Sequence, residues 1–165
     1  VIFDVRNNET GSIADVTKCI DVLVPVTTEG NNAIATAVDK DEKVIETFAS
    51  DSNSVSFSMV VLVNSKTSGA AELFACDLRD FGLAQLVGEK TAGNGTMQKV
   101  FELDDGGAVA LTVAHILPYK SESFHGVGLE PDHKVELTKE QASRFEMLTQ
   151  QEDTQLQKAL SLLNN

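Results

Sequence analysis

The residues best suited to chemistry lie at two glycine-containing turns, and the first turn joins a strand to a helix. The apolar run Met59–Val63 predicts a strand buried on both faces, and a helix begins near Ala70, just after Ser68 and Gly69. The start of a helix has N–H groups without acceptors and the positive end of the helix dipole, which suits an oxyanion hole for acyl transfer. The simpler interpretation of Ser68 is a helix cap, because serine is favoured at that position.

The second turn is the loop 91–98, in which Gly93 and Gly95 flank Asn94. Two glycines around one residue let the backbone turn sharply and present a side chain, although most such patterns are only turns. The loop leads into a strand and not a helix, so it is not a dinucleotide-binding fingerprint. It also lacks the Gly-Lys-Ser/Thr of a phosphate-binding loop.

Other polar clusters are explained without a bound cofactor, and we expect neither a cofactor nor a metal. The three histidines lack the H-E-x-x-H spacing of a zinc site; they are His115, His125 and His133. The segment 104–107 reads Asp-Asp-Gly-Gly, which a hairpin turn explains and which lacks the spacing of a calcium loop. Cys19 and Cys76 are far apart in sequence and both fall on predicted helices, where we expect buried thiols.

The elements that must position these turns follow an α/β pattern. Ser12 and Asp15 predict a helix start, and we expect Pro25 to end that helix. Thr138 with Gln141 predicts another start. The predicted strands are 1–5, Ala33–Val38, 44–48, Met59–Val63 and 83–87, followed by a hairpin of 97–103 with Ala108–Leu117. One helix is predicted after Gly69 and another over the apolar stripe 156–163. The segment 51–54 is predicted to be a loop. We therefore expect a parallel-rich sheet covered by helices on both faces, with an added β-hairpin.

Composition restricts the class of partner. The chain has 165 residues, of which 42% are hydrophobic and 23% charged, as in a globular domain with a single core. Its formal net charge of -12 opposes binding to nucleic acid or to anionic lipid. Met59–Val63 is the longest uninterrupted apolar stretch, far too short to span a bilayer.

The chain opens directly in the apolar run 1–5, with no Met and no polar lead-in. Because a chain rarely begins inside a core strand, we interpret residues 1–165 as one domain whose N-terminal part is missing or lies on another chain. An oligomer is one way to complete the fold. Any targeting signal would lie in the missing part.

Four ordered segments resemble the C-terminal processing peptidases, also called tail-specific proteases. The opening Phe-Asp-Val-Arg-Asn-Asn resembles the family's D-L-R-N-N-P-G-G, and the strand, turn and helix around Gly69 resemble its nucleophile region. Gly-Glu-Lys-Thr followed by Gly-Asn-Gly-Thr-Met-Gln resembles V-G-x-K-T-x-G-K-G-x-x-Q, and Gly-Val-Gly-Leu-Glu-Pro-Asp resembles G-x-G-I-x-P-D. In this sequence the segments are residues 3–8, 60–75, 86–98 and 126–132.

The resemblance implies an α/β core related to the crotonase and Clp-protease folds, often preceded by a peptide-binding PDZ module. It also implies an extracytoplasmic location and protein substrates that are cut near their C-terminal tails. The implied mechanism is a serine–lysine dyad: a buried neutral lysine takes the serine proton, a glutamine holds that lysine, and backbone N–H groups hold the oxyanion.

The dyad positions of this chain hold other residues. The family's nucleophile stands three residues before the motif glutamate, which is Glu72 here, so that position is Gly69. The family's lysine lies between the two glycines of the later loop, where this chain has Asn94. Gln98 matches the family glutamine, and the resemblance places the oxyanion donors at the N–H of Ala70 and at Gly11, in a turn that reads Glu-Thr-Gly instead of Pro-Gly-Gly.

These departures predict a peptidase-family domain that is inert by the dyad mechanism and still binds protein or peptide tails. Glycine has no nucleophile, and an amide does not take up a proton at usable pH. The alternative is an active serine endopeptidase that uses Ser68, with Lys90 or Lys99 as a shifted base. A third interpretation, an acyl-CoA enzyme on the related crotonase core, is opposed by the peptidase-like segment 126–132.

Overall fold

A computed structural model describes residues 1–26, 32–51 and 57–164. The predicted loop 51–54 lies outside these ranges except for Asp51. The strands are β1 (Ile2–Asp4), β2 (Ala33–Val38), β3 (Val44–Ala49), β4 (Met59–Val63), β5 (Ala84–Gly88), β6 (Thr96–Glu102), β7 (Ala108–Leu117) and β8 (His133–Lys134). The helices are α1 (Ile13–Asp21), α2 (Ala70–Asp80), α3 (Lys139–Ser143) and α4 (Thr154–Leu163), with a short 3₁₀ turn at Phe145–Met147.

A parallel sheet in the order β1-β4-β5-β8 forms the centre of the fold. Every residue of β4 is buried because alternate side chains enter two different apolar clusters. Val61 and Val63 pack in the main core with α2, whereas Val60 and Leu62 pack with Ala159 of α4. The predicted α/β class, with helices on both faces of a parallel sheet, is therefore confirmed.

A second, antiparallel sheet has the order β3-β2-β7-β6. Its hairpins are those predicted from the sequence, and pairing of β2 with β7 joins them into one sheet. The register of β6 on β7 shifts between Met97 and Gln98, which is a β-bulge. Bulges redirect side chains, and this one lies where β6 leaves the glycine-containing loop.

Helix α1 starts as predicted and ends earlier than predicted. The Ser12 hydroxyl accepts a hydrogen bond from the Asp15 N–H at 3.3 Å. The helix ends at Asp21, with Val22 as its C-cap, so Pro25 does not end it. The capping box of Thr138 and Gln141 at the start of α3 is confirmed.

The two cysteines differ in burial, which corrects the expectation of two buried thiols. Cys76 is buried, whereas Cys19 is exposed because α1 presents Ile13, Thr17 and Ile20 to the core. None of the helices within the described ranges is long and apolar enough to cross a membrane.

Arg6 joins the end of β1 to the start of α4. Its guanidinium, only 4% exposed, forms ion pairs with Asp4 at 2.6 Å and with Asp153 at 2.8 Å, and donates to Gln155 at 2.9 Å. Burial opposes the charged form, but the hydrogen bonds and charges of the two carboxylates raise the pKa of Arg6 above its ordinary value. Asp153 is also the N-cap of α4, so this contact fixes the start of that helix against the sheet.

Candidate active site

A cavity of about 450 Å³ lies where the starts of α1 and α2 meet β3, β6 and the loop before β6. Five of the six site residues expected from the sequence line it: Gly11, Gly69, Ala70, Asn94 and Gln98. The sixth, Ser68, is not part of the lining. The structure therefore brings together the two dyad positions, the glutamine and both oxyanion positions.

Gly69 occupies the sharp turn between β4 and α2. It is the N-cap of α2, with φ +63° and ψ −118°, a conformation that favours glycine over other residues. A Cβ added there would have Asn94 O at 3.9 Å as its nearest neighbour, so the turn has space for a side chain but imposes backbone strain on it. The expected cap at Ser68 is wrong, because the helix begins one residue later than a Ser68 cap requires.

The carboxylate of Glu72 connects this turn to the glycine-containing loop. Its side chain is fully buried, and Oε2 accepts from the N–H of Gly69 at 3.0 Å and from the N–H of Asn94 at 2.8 Å. Oε1 accepts from the N–H of Gly93 at 2.7 Å and from the hydroxyl of Thr91. Four donors thus hold one carboxylate, and through it the two dyad positions are held at a fixed separation. We call these five residues the Glu72 clasp.

Further hydrogen bonds extend the clasp to the closing segment of the motif. The Thr91 hydroxyl accepts from the N–H of Leu129 at 2.7 Å, and the N–H of Thr91 donates to Leu129 O at 3.1 Å. Gly93 O accepts from the N–H of Gly126 at 2.8 Å. The segment 126–132 therefore supports the loop that carries Asn94.

The expected oxyanion positions lie close together. The N–H of Ala70 is the first of the helix start, a position that has no acceptor within the helix. Gly11 has φ +148°, and a Cβ on it would lie 2.9 Å from the Cβ of Ala70. A side chain at Gly11 would therefore require a shift of the turn or of Ala70.

Asn94 presents an amide to the cavity, and no lysine replaces it there. The Asn94 side-chain oxygen accepts from the hydroxyl of Thr96 at 2.7 Å. Lys90 forms an ion pair with Glu130 at 2.9 Å, and Lys99 lies 5.6 Å from the ring centroid of Phe101. Neither lysine lines the cavity, and Ser68 does not line it either.

Charge at the cavity comes from two glutamates, Glu9 and Glu46. Glu9 lies in the Glu-Thr-Gly turn and has Lys66 at 3.9 Å. Glu46 and Phe48 lie two residues apart on β3, and therefore on the same face of that strand. Within the described ranges, no group of His, Cys, Asp or Glu residues is arranged to hold a metal.

The far end of α2 carries two groups whose pKa values are raised. Burial raises the pKa of Cys76 to about 12, with Asp80 and Asp77 adding to the effect, so this thiol is not an available nucleophile. Burial also raises the pKa of Asp77 well above its usual range. Asp77 accepts a hydrogen bond from the N–H of Tyr119 at 2.9 Å, and its buried Oδ2 has no partner within the described ranges.

From the sequence, Glu72 served only to locate the nucleophile position, and its role in holding the two loops was not predicted. The places of Thr91, Glu46 and Phe48 at the site were not predicted either. One signal was present: Glu72 is the single charged residue in the apolar run Ala-Ala-Glu-Leu-Phe-Ala that starts α2. A charge on a helix face that is otherwise apolar indicates a specific buried partner. No comparable signal marks Glu46, because β3 is mostly exposed.

Known proteins resemble this chain in sequence and in structure. It is 43% identical over 105 residues to the carboxyl-terminal-processing protease of Synechocystis, covering 64% of this chain and 24% of that protein. It is 34% identical over 136 residues to the carboxy-terminal processing protease CtpA of Bacillus subtilis, covering 82% of this chain and 28% of that protein. The photosystem II D1 C-terminal processing protease superposes with a TM-score of 0.71 at 29% identity, over 82% of this chain and 34% of that one.

The chain thus spans about a quarter of the length of these curated relatives. The match to the family model of peptidase family S41 extends over residues 1–135 and so includes every residue expected at the site. The resemblance to the C-terminal processing peptidases is confirmed, and the chain belongs to peptidase family S41.

Proposed function

We propose that this domain binds the C-terminal tails of proteins in the 450 Å³ cavity and does not hydrolyse them by a serine–lysine dyad. The observation that carries the proposal is the pairing of Gly69 with Asn94 across the Glu72 clasp. Both positions that the family resemblance assigns to the dyad face one cavity, and neither side chain can act as nucleophile or base.

Binding does not depend on the missing dyad. The cavity combines N–H groups at the starts of two helices, which suit peptide carbonyl oxygens, with the apolar side chains of Ile13, Phe48 and Met97. Loss of a nucleophile removes a reaction step and leaves these contacts in place. We also propose an extracytoplasmic location, which rests on the family resemblance alone.

The first experiment separates binding from hydrolysis. The full chain is titrated into a fluorescein-labelled decapeptide of alanine and valine with a free carboxyl end, and fluorescence anisotropy is followed while mass spectrometry monitors cleavage. We expect saturable binding without cleavage and no labelling by a fluorophosphonate probe. Absence of binding to this peptide and to an unfolded protein substrate would contradict the proposal.

An active serine endopeptidase is the second candidate, favoured by the relatives, which are named as proteases. It requires the Ser68 hydroxyl to enter the cavity and a lysine to approach it. Fluorophosphonate labelling of Ser68, or turnover that Ser68→Ala abolishes, would establish this candidate and overturn the proposal of an inert domain.

A further inference from the structure

The charges that line the cavity are all of one sign. Among the lining residues that belong to the described part of the chain, Glu9 and Glu46 are charged and none is lysine or arginine. Lys66 lies 3.9 Å from Glu9 and partly neutralises it. Glu46 forms no ion pair within 4 Å in the part of the chain that the structure describes, so its charge is available to a ligand.

Glu46 is also next to an apolar surface that suits a long aliphatic side chain. Phe48 projects from the same face of β3 and contacts the main core, which keeps its ring in place. Lysine and arginine place their methylene stems on apolar surface while the charged head reaches a polar partner. A cation near an aromatic ring gains further electrostatic attraction.

We propose that the cavity selects peptide tails with a basic side chain, and that Glu46 determines this preference. The inference rests on the proposed function, because it assumes that a peptide enters the cavity. Peptide carbonyl oxygens meet the N–H groups at the starts of α1 and α2, while the basic side chain lies along Phe48 and ends at Glu46.

The rest of the chain acts in the same direction. Lys18, a cation that lines a neighbouring cavity together with Glu46, is held by Asp15 in an ion pair at 2.9 Å. The net charge of -12 attracts a cationic peptide and repels an acidic one over distances of about a Debye length, ~8 Å at physiological salt. An acidic side chain beside Glu46 would add a direct repulsion of like charges.

A peptide series tests the preference directly. Fluorescein-labelled decapeptides of alanine and valine carry one lysine, norleucine or glutamate at each of the last four positions, and Kd is measured by anisotropy with the full chain. At one or more positions we expect lysine to bind about fivefold more tightly than norleucine, the size expected for one partly exposed ion pair with an aromatic contact. Glutamate is expected to bind more weakly than norleucine.

Variants of Glu46 assign the effect to this residue. Glu46→Gln should make lysine and norleucine peptides bind equally, and Glu46→Lys should make the glutamate peptide the tightest. Glu122→Gln is the matched control, because it removes one exposed negative charge outside the cavity, and it should leave the lysine preference unchanged. Glu46 is exposed on β3, so these variants are expected to keep the thermal unfolding temperature of the wild type.

The outcomes separate the two claims. If the peptides bind and the lysine preference is absent, or persists in Glu46→Gln, this inference is overturned and tail binding stands. If no peptide of any charge binds, tail binding fails and this inference fails with it.

Discussion

Helix α2 carries two fully buried carboxyl groups, Glu72 near its start and Asp77 near its end, and their surroundings differ. Glu72 accepts four hydrogen bonds, which connect two loops of the cavity. Asp77 accepts one, and its second oxygen has no partner among the described residues. Equal burial therefore has opposite consequences: at one end it stabilises a defined geometry, and at the other it leaves a group whose ionisation is unfavourable.

The Glu72 clasp joins the turn at Gly69 to the loop at Asn94, the two positions at which the family resemblance places the dyad. Because the clasp shapes the cavity without itself supplying a nucleophile or a base, it is compatible with the proposed binding without hydrolysis. Variants at the two ends of α2 test the difference between the two carboxyl groups.

The largest expected effect is a gain of hydrolysis in the double variant Gly69→Ser with Asn94→Lys. If the clasp holds both positions in a competent arrangement, the new hydroxyl and amine complete the dyad, and turnover should rise at least ~100-fold above that of either single variant, as expected for general base catalysis. The measurement is cleavage of the decapeptide and of an unfolded protein substrate, followed by mass spectrometry.

The two single variants are the controls for this gain. Activity in Gly69→Ser alone would show that the base lies elsewhere. A folded double variant that binds the peptide and stays inactive would show that the clasp preserves the cavity and not a competent dyad geometry.

Removal of the clasp should be the largest loss of stability. Glu72→Ala leaves four donors without their acceptor in a buried site, so we expect the free energy of unfolding to fall by about 4 kcal/mol in urea denaturation. Glu122→Ala, at an exposed glutamate, should change it by less than about 0.5 kcal/mol. A loss below ~1 kcal/mol in Glu72→Ala would mean that the loops are held by other contacts.

Near the end of α2, replacement of the other buried carboxyl group, that of Asp77, should stabilise the protein at neutral pH. The raised pKa of Asp77 means that the folded state binds its proton more tightly than the unfolded chain, so stability is lost as pH rises from the unfolded value, about 4, toward the raised folded value. Asp77→Asn cannot ionise and keeps an oxygen for the Tyr119 N–H. We expect its stability relative to the wild type to increase as the pH rises from about 4 to 7, and to be greatest at the upper end of that range.

Asp80 provides a comparison and not an independent control, because its charge adds to the raised pKa of Asp77. Its carboxylate accepts from the N–H of Lys120, the N–H of Ser121 and the Ser121 hydroxyl, at 3.1, 2.7 and 2.5 Å. Asp80→Asn should therefore destabilise the protein. Urea denaturation from pH 4.5 to 7.5 measures both variants, and a stability difference for Asp77→Asn that does not grow with pH would refute the assignment.

Local sequence patterns were sufficient for most of the elements and insufficient for the contacts between them, and the expected site positions came from the family resemblance. The strand before Gly69, the helix after it and the loop around Asn94 follow from apolar periodicity and glycine spacing within short windows. The pairing of β2 with β7 and the burial of Glu72 depend on residues far apart in the chain. Nothing within a short window specifies those partners.

Two of the incorrect residue predictions, for Ser68 and Cys19, have the same origin. Ser68 was expected to cap α2 because serine favours caps, but the turn needs a positive φ, which glycine adopts at low cost, and the helix begins after Gly69. Cys19 was expected to be buried, but its place on α1 faces away from the side that packs on the core. In both cases the tertiary arrangement outweighed the preference of the residue type.

The smallest expected effect concerns the backbone of Gly69 itself. Gly69→Ala adds a methyl group that has space, at a φ of +63° that disfavours it, so we expect a loss of about 1.5 kcal/mol from strain alone. Gly82→Ala is the control, because Gly82 also has a positive φ, +72°, with nothing within 4 Å of the added Cβ, and it lies away from the clasp.

The informative measurement is the coupling of Gly69→Ala with Glu72→Gln. Glu72→Gln weakens the clasp, so in that background the turn can relax around the new side chain. The loss of unfolding free energy caused by Gly69→Ala should then be smaller by at least about 0.5 kcal/mol, whereas the loss caused by Gly82→Ala should stay the same. Equal costs in both backgrounds would show that the strand and the helix, and not Glu72, impose the conformation of the nucleophile turn.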